Sequence, residues 1–156
     1  MTQMNRTRKL KIILPPTYLL ILLVCVIVFN YTFPIIQIFP TPWNAFGILP
    51  LALGLLITVG SDNQIKKAKT TIKPFEKPTF LVTDGWFSIS RNPVYLGFIL
   101  ILVGVSILLG TLSPLIISVY FPIILYMKFI RFEEEMLANT FGEAWKTYNQ
   151  KVRRWI

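Results

Sequence analysis

Two long stretches of this chain carry almost no charge, and they limit what it can become. No charged residue occurs between Lys11 and Asp62, and only Lys128 interrupts the run from Pro93 to Ile130. In lipid, a stretch of this kind satisfies its backbone polar groups by forming helices, and about 20 apolar residues cross a hydrocarbon core of roughly 30 Å. The first stretch holds two spans, at about 16–33 and 43–59, with Pro34, Pro40 and Pro42 between them. The second holds two more, 93–109 and 114–130, joined by the uncharged turn Gly110-Thr-Leu-Ser113. The expected fold class is an all-α membrane protein. It has about four transmembrane helices in a single integral-membrane domain, 1–156, followed by a C-terminal amphipathic helix.

Composition sharpens this. The chain is 54% apolar with a net charge of +9 and a mean hydropathy of +0.60, a pairing rare in soluble domains. Its basic residues fall in three segments: four in 1–11, six in 61–92 and six in 128–156. The connections on the other side carry none, so the positive-inside rule places both termini and the long loop in the cytoplasm. Charge divided among segments in this way does not suit nucleic acid. An N-terminal signal peptide is rejected because the first span lacks a small-x-small cleavage site. One cysteine, Cys25, excludes an intrachain disulfide, and the chain has no histidine. Histidine-dependent hydrolysis therefore falls away, and no metal is expected.

Local signals mark the element ends. Asn92 before Pro93 reads as a helix cap followed by a proline that fits the first helical position, and Ser113-Pro114 repeats the pattern. Pro122 is expected to bend the fourth span. The segment 61–70 is able to prolong the second helix beyond the bilayer, whereas Pro74 and Pro78 exclude regular helix in the middle of the loop. Leu137, Phe141, Trp145, Tyr148, Val152 and Trp155 recur at steps of three and four, an amphipathic stripe that Gly142 is placed to interrupt.

No span interior holds an ionisable residue, which argues against an ion-coupled transporter. Polar chemistry is pushed to the cytosolic boundary. Because the third and fourth spans are arms of nearly equal length, Arg91 should lie near Arg131, Glu133 and Glu134. The amino end of the third helix favours an anionic group there, and Tyr95 adds a hydroxyl. An anion site, a carboxylate pair and apolar walls suit a zwitterionic cofactor.

The run Arg91-Asn-Pro-Val-Tyr-Leu-Gly97 resembles the Arg-(His/Asn)-Pro-x-Tyr motif of the isoprenylcysteine carboxyl methyltransferase family and its phospholipid methyltransferase relatives. Glu133-Glu134-x-x-Leu137, continuing through Phe141-Gly142 to Trp145 and Tyr148, is similar to that family's second signature. The lead-in from Lys73 to Gly85 is similar too, so the resemblance covers about 70–154. It implies a membrane methyltransferase using S-adenosyl-L-methionine bound at the cytosolic face, with a lipid-like or small apolar acceptor entering from the bilayer. By matched position it implies a cofactor site of Arg91, Asn92, Pro93, Tyr95, Glu133 and Glu134, with Arg91 and Glu134 as catalytic candidates. Two departures stand out: Asn92 where eukaryotic relatives carry histidine, and Trp145 where tyrosine is frequent.

Plainer readings stand beside these. Arg91 also serves as a topology anchor, Glu133–Glu135 as a solvated helix start, Trp86 and Phe87 as interface aromatics, and Lys66, Lys67 and Lys69 as contacts to lipid headgroups. A membrane reductase using NADPH and a non-catalytic scaffold are the alternative functions. The acceptor atom (carboxylate, amine, thiol or phenol) and the oligomeric state are left open by the residues.

Overall fold

The structure, a computed structural model, describes residues 14–70 and 78–156. The expectations for the basic segment 1–11 and for the proline-broken stretch around Pro74 lie outside the described residues. Six α-helices follow in order: α1 Pro15–Thr32, α2 Ile48–Lys67, α3 Pro93–Leu109, α4 Leu112–Leu125, α5 Arg131–Phe141 and α6 Glu143–Lys151. Short 3-10 turns at Trp43–Gly47 and Gly85–Ser88 precede α2 and α3. Three continuous helical stretches, Pro15–Thr32, Trp43–Lys67 and Leu112–Phe141, are long and apolar enough to cross a membrane, and α3 is a shorter apolar helix. The protein is a membrane protein with an all-helical body; among the described residues only an isolated antiparallel bridge joins Gln37 to Thr111.

The central element is α3. It buries Tyr95, Phe98, Ile101, Leu102 and Ser106 along with two glycines. Those glycines, Gly97 and Gly104, meet Gly54 and Gly47 across the α2–α3 contact. A Cβ at Gly54 would stand 2.6 Å from the Gly97 carbonyl oxygen, and one at Gly104 would stand 2.7 Å from that of Gly47. Both pairs are separated by seven residues, two helical turns, so they lie on one face and let the backbones touch. Against α4, contact is polar as well as apolar: the Ser106 and Ser118 hydroxyls lie 2.7 Å apart, and Ser106 also donates to the Leu102 carbonyl at 2.8 Å. Phe98, Leu102, Phe121, Leu125 and Ile130 fill the core with Val26 of α1.

The far end is stitched by backbone. The amides of Ile38 and Phe39 donate to the Gly110 carbonyl at 2.8 and 2.9 Å, and that of Leu112 donates to Ile36 at 2.9 Å. Gly110 closes α3 in the left-handed conformation, φ +83°, which glycine adopts without a Cβ clash.

Several expectations change. The turn is only Gly110-Thr111, because α4 begins at Leu112 and Pro114 still falls in the first turn, where a missing amide proton costs nothing. The Ser113 hydroxyl donates to the Phe33 carbonyl instead of capping its own helix. Asn92 does not cap α3 through its side chain either; its amide donates to the Arg154 carbonyl at 3.3 Å. The fourth span does not stop at 130. It passes through a π turn, Tyr126–Ile130, directly into α5, so Glu133–Glu135 sit within a continuous helix rather than at a solvated start. The π turn follows Pro122, whose missing amide already weakens the ladder. The C-terminal helix breaks at Gly142, φ +51°, and ends at Lys151. Val152, in extended backbone, and Trp155 lie beyond the helix, because the Arg153 and Arg154 carbonyls accept from residues 90–92.

Candidate functional site

A cavity of about 770 Å³ opens where α2, α3 and α5 converge. Its walls come from the first turn of α1 (Leu14, Pro15, Pro16), from Thr58, Val59, Asp62 and Ile65 of α2, and from Pro78 and Phe80–Val82. Phe87, the whole run Arg91–Tyr95, Glu133, Met136, Leu137, Trp145 and Tyr148 complete it. Both sequence motifs therefore reach one space, although 38 residues separate Tyr95 from Glu133. The Tyr95 hydroxyl donates to Glu133 Oε1 at 2.6 Å, and stacking of its ring against Phe129, centroids 6.2 Å apart, holds it in place.

The two glutamates diverge. Adjacent helical residues point about 100° apart, so Glu133 faces the cavity while Glu134 lies behind Arg91 and is not among the lining residues. Glu134 takes a paired contact from Arg154, with Nε at 3.1 Å and Nη2 at 2.8 Å. Its Oε1 also lies 3.5 Å from Arg91 Nη1. The Arg91 side chain is 9% exposed and that of Glu134 15%, so this pair is shielded from solvent screening. Burial pulls the Arg91 guanidinium below its ordinary value, opposed by the charge of Glu134. Arg91 is further fixed by donating to Asn149 Oδ1 and by lying over the Trp145 ring at 5.6 Å.

Of the six candidates, Arg91, Asn92, Pro93, Tyr95 and Glu133 line the cavity, and Glu134 supports it from behind. Arg131, expected beside them, is exposed and lines none of it. Phe87, expected as an interface aromatic, is part of the wall, and its carbonyl accepts the Tyr148 hydroxyl at 2.6 Å. Sequence reasoning missed Thr58, Asp62, Asn149 and Arg154. The last falls between the positions of the amphipathic stripe, among the charged residues, and no sequence signal set it apart. Two polar atoms on cavity-lining residues, Thr58 Oγ1 and Arg91 Nε, are buried without a hydrogen-bond partner. An unpaired buried donor is costly; Thr58 Oγ1 lies in the α2–α3 seam, where a Cβ at Gly97 would collide with it.

Comparison with known proteins finds relatives by sequence and by fold. The sequence profile of the phospholipid methyltransferase family matches residues 42–144. A protein-S-isoprenylcysteine O-methyltransferase of Schizosaccharomyces pombe is 34% identical over 79 residues, covering 49% of this chain and 32% of the yeast protein. The fold is similar to a solved structure of the eukaryotic intramembrane Ras methyltransferase, isoprenylcysteine carboxyl methyltransferase. The TM-score is 0.65 at 22% identity, over 88% of this chain and 51% of that one. The chain thus spans about a third of the curated relative and half of the solved one.

Proposed function

This chain belongs to the phospholipid methyltransferase family, and from that premise we propose that it is a membrane-embedded methyltransferase using S-adenosyl-L-methionine. The observation that carries the reading is the convergence of Arg91–Tyr95 and Glu133 on one cavity, tied by the 2.6 Å Tyr95–Glu133 hydrogen bond. The cavity's volume lies within the range of roughly 300–1,000 Å³ usual for small-molecule sites. Its lining suits the cofactor: the Arg91 guanidinium for a carboxylate, Glu133 to accept from an ammonium or hydroxyl, and Phe87 and Trp145 as aromatic walls.

S-adenosylmethionine supplies an electrophilic methyl group on a sulfonium, so the protein's part is to align donor and acceptor and exclude water. Arg91 provides fixed positive charge. Tyr95 holds the Glu133 carboxylate in one orientation, and Leu14–Pro16 with Phe80–Val82 give an apolar flank for a lipid-like acceptor. Of the two glutamates, Glu133 is the one placed to take a proton from an amine acceptor, whereas Glu134 is engaged by two arginines. A prenylcysteine-type carboxylate or a lipid amine are the acceptors this reading favours. The distribution of Lys and Arg supports a cytoplasmic mouth with both termini on that side.

The test is equilibrium binding of S-adenosylmethionine to the purified protein in detergent, with NADPH as the control ligand. Micromolar-range binding that Arg91→Ala and Glu133→Gln both weaken is the expected result. A folded sample that binds NADPH instead, or neither ligand, would remove the proposal.

A further inference from the structure

Behind the cavity wall a second tier of contacts ties the C-terminal segment to the loop before α3. The Arg91 amide donates to the Arg153 carbonyl at 3.0 Å. The Arg154 carbonyl accepts from the Ser90 hydroxyl at 3.0 Å and the Asn92 amide at 3.3 Å. Residues 152–154 thus lie along 90–92 as a strap. The Arg154 guanidinium has no part in the cavity lining. It is committed to both oxygens of Glu134 and lies over the Tyr126 ring at 4.7 Å.

We propose that Arg154 is a positioning residue: acting through Glu134, it sets the orientation of the Arg91 guanidinium at the cavity wall. Glu134 stands between two guanidinium groups, with the closer contacts to Arg154 (2.8 and 3.1 Å) and the longer one to Arg91 (3.5 Å). Arg154 therefore holds the carboxylate back. Without it, Glu134 turns fully to Arg91, their contact shortens, and the Arg91 guanidinium is drawn away from the cavity. A lysine at 154 would supply a point charge without the planar fork that engages both carboxylate oxygens, so it restores the arrangement only in part.

The experiment uses the full chain in nanodiscs with two readouts. One is the Nε–Hε resonance of Arg91 in nitrogen-15 arginine-labelled protein, identified by its loss in Arg91→Lys. The other, which rests on the function proposed above, is titration with S-adenosylhomocysteine. Arg154→Ala is expected to move the Arg91 resonance and weaken binding roughly tenfold, Arg154→Lys to fall between, and Lys151→Ala to do neither. Because the effect runs through Glu134, adding Arg154→Ala to Glu134→Ala should change affinity by less than about twofold. An unmoved Arg91 resonance in a folded Arg154→Ala protein, or an effect of full size in the Glu134→Ala background, would overturn the proposal. If the wild-type chain binds no S-adenosylhomocysteine, the functional reading falls, and the resonance alone decides the positioning role.

Discussion

At the scale of single residues, two neighbouring glutamates do different work. Glu133 meets the cavity and Tyr95, so Glu133→Gln keeps a hydrogen-bonding oxygen but removes the charge. We expect it to weaken S-adenosylmethionine binding roughly tenfold with little change in melting temperature, as read by calorimetric titration beside a thermal melt. Tyr148 offers a pH test. Burial pushes its hydroxyl from 10.0 up to about 12, against the pull of Arg91. The unfolded phenol ionises first, so this group's stabilising contribution is full below pH 10 and is lost as pH rises through 12. Thermal stability should therefore fall between these values, and Tyr148→Phe should flatten that part of the curve. An unchanged slope in the variant would place the alkaline loss elsewhere.

At the scale of elements, the α2–α3 seam brings backbone against backbone, so a Cβ at Gly54 would meet main-chain atoms that cannot swing aside. Gly54→Ala puts a Cβ 2.6 Å from a carbonyl oxygen, and we expect a loss of about 1–3 kcal/mol in detergent unfolding. Gly142→Ala meets nothing within 4 Å, so its cost comes from φ +51° alone, about 1–3 kcal/mol. Equal behaviour of Gly54→Ala and wild type would refute the close approach. The ends of α3 were legible to the residue because Asn92-Pro93 and Gly110 punctuate both of them. The end of α4 was not legible. Charge begins at Lys128 and gathers from Arg131 on, but helical hydrogen bonding is indifferent to polarity, and the π turn leaves no mark beyond Pro122. The strap at 152–154 was hidden for another reason. Val152 and Trp155 continue the helical spacing, while the contacts that draw Arg154 off the helix come from residues more than 60 positions away.

At the scale of the whole molecule, the far-side connections 33–44 and 110–111 meet at one end, and the ionic cluster lies at the other. If the basic end is cytoplasmic, a cysteine at Lys146 in a Cys25→Ser background will react with an impermeant maleimide only after the membrane is opened. One at Thr41 will react from outside, and the reverse pattern would invert the orientation. The cavity as a whole was legible only as two motif ends facing each other. Its third wall, from α2, depends on the glycine seam, which no local pattern announced. The strap also orders events in time. Its hydrogen bonds span 62 to 64 positions, and closing so long a loop is slow and follows local helix formation. Every helix from α3 to α6 must be inserted and paired before Arg91 acquires its surroundings. During biogenesis the bundle therefore passes through a helical stage in which the cavity wall at Arg91 is still open, and closing that wall is its last act.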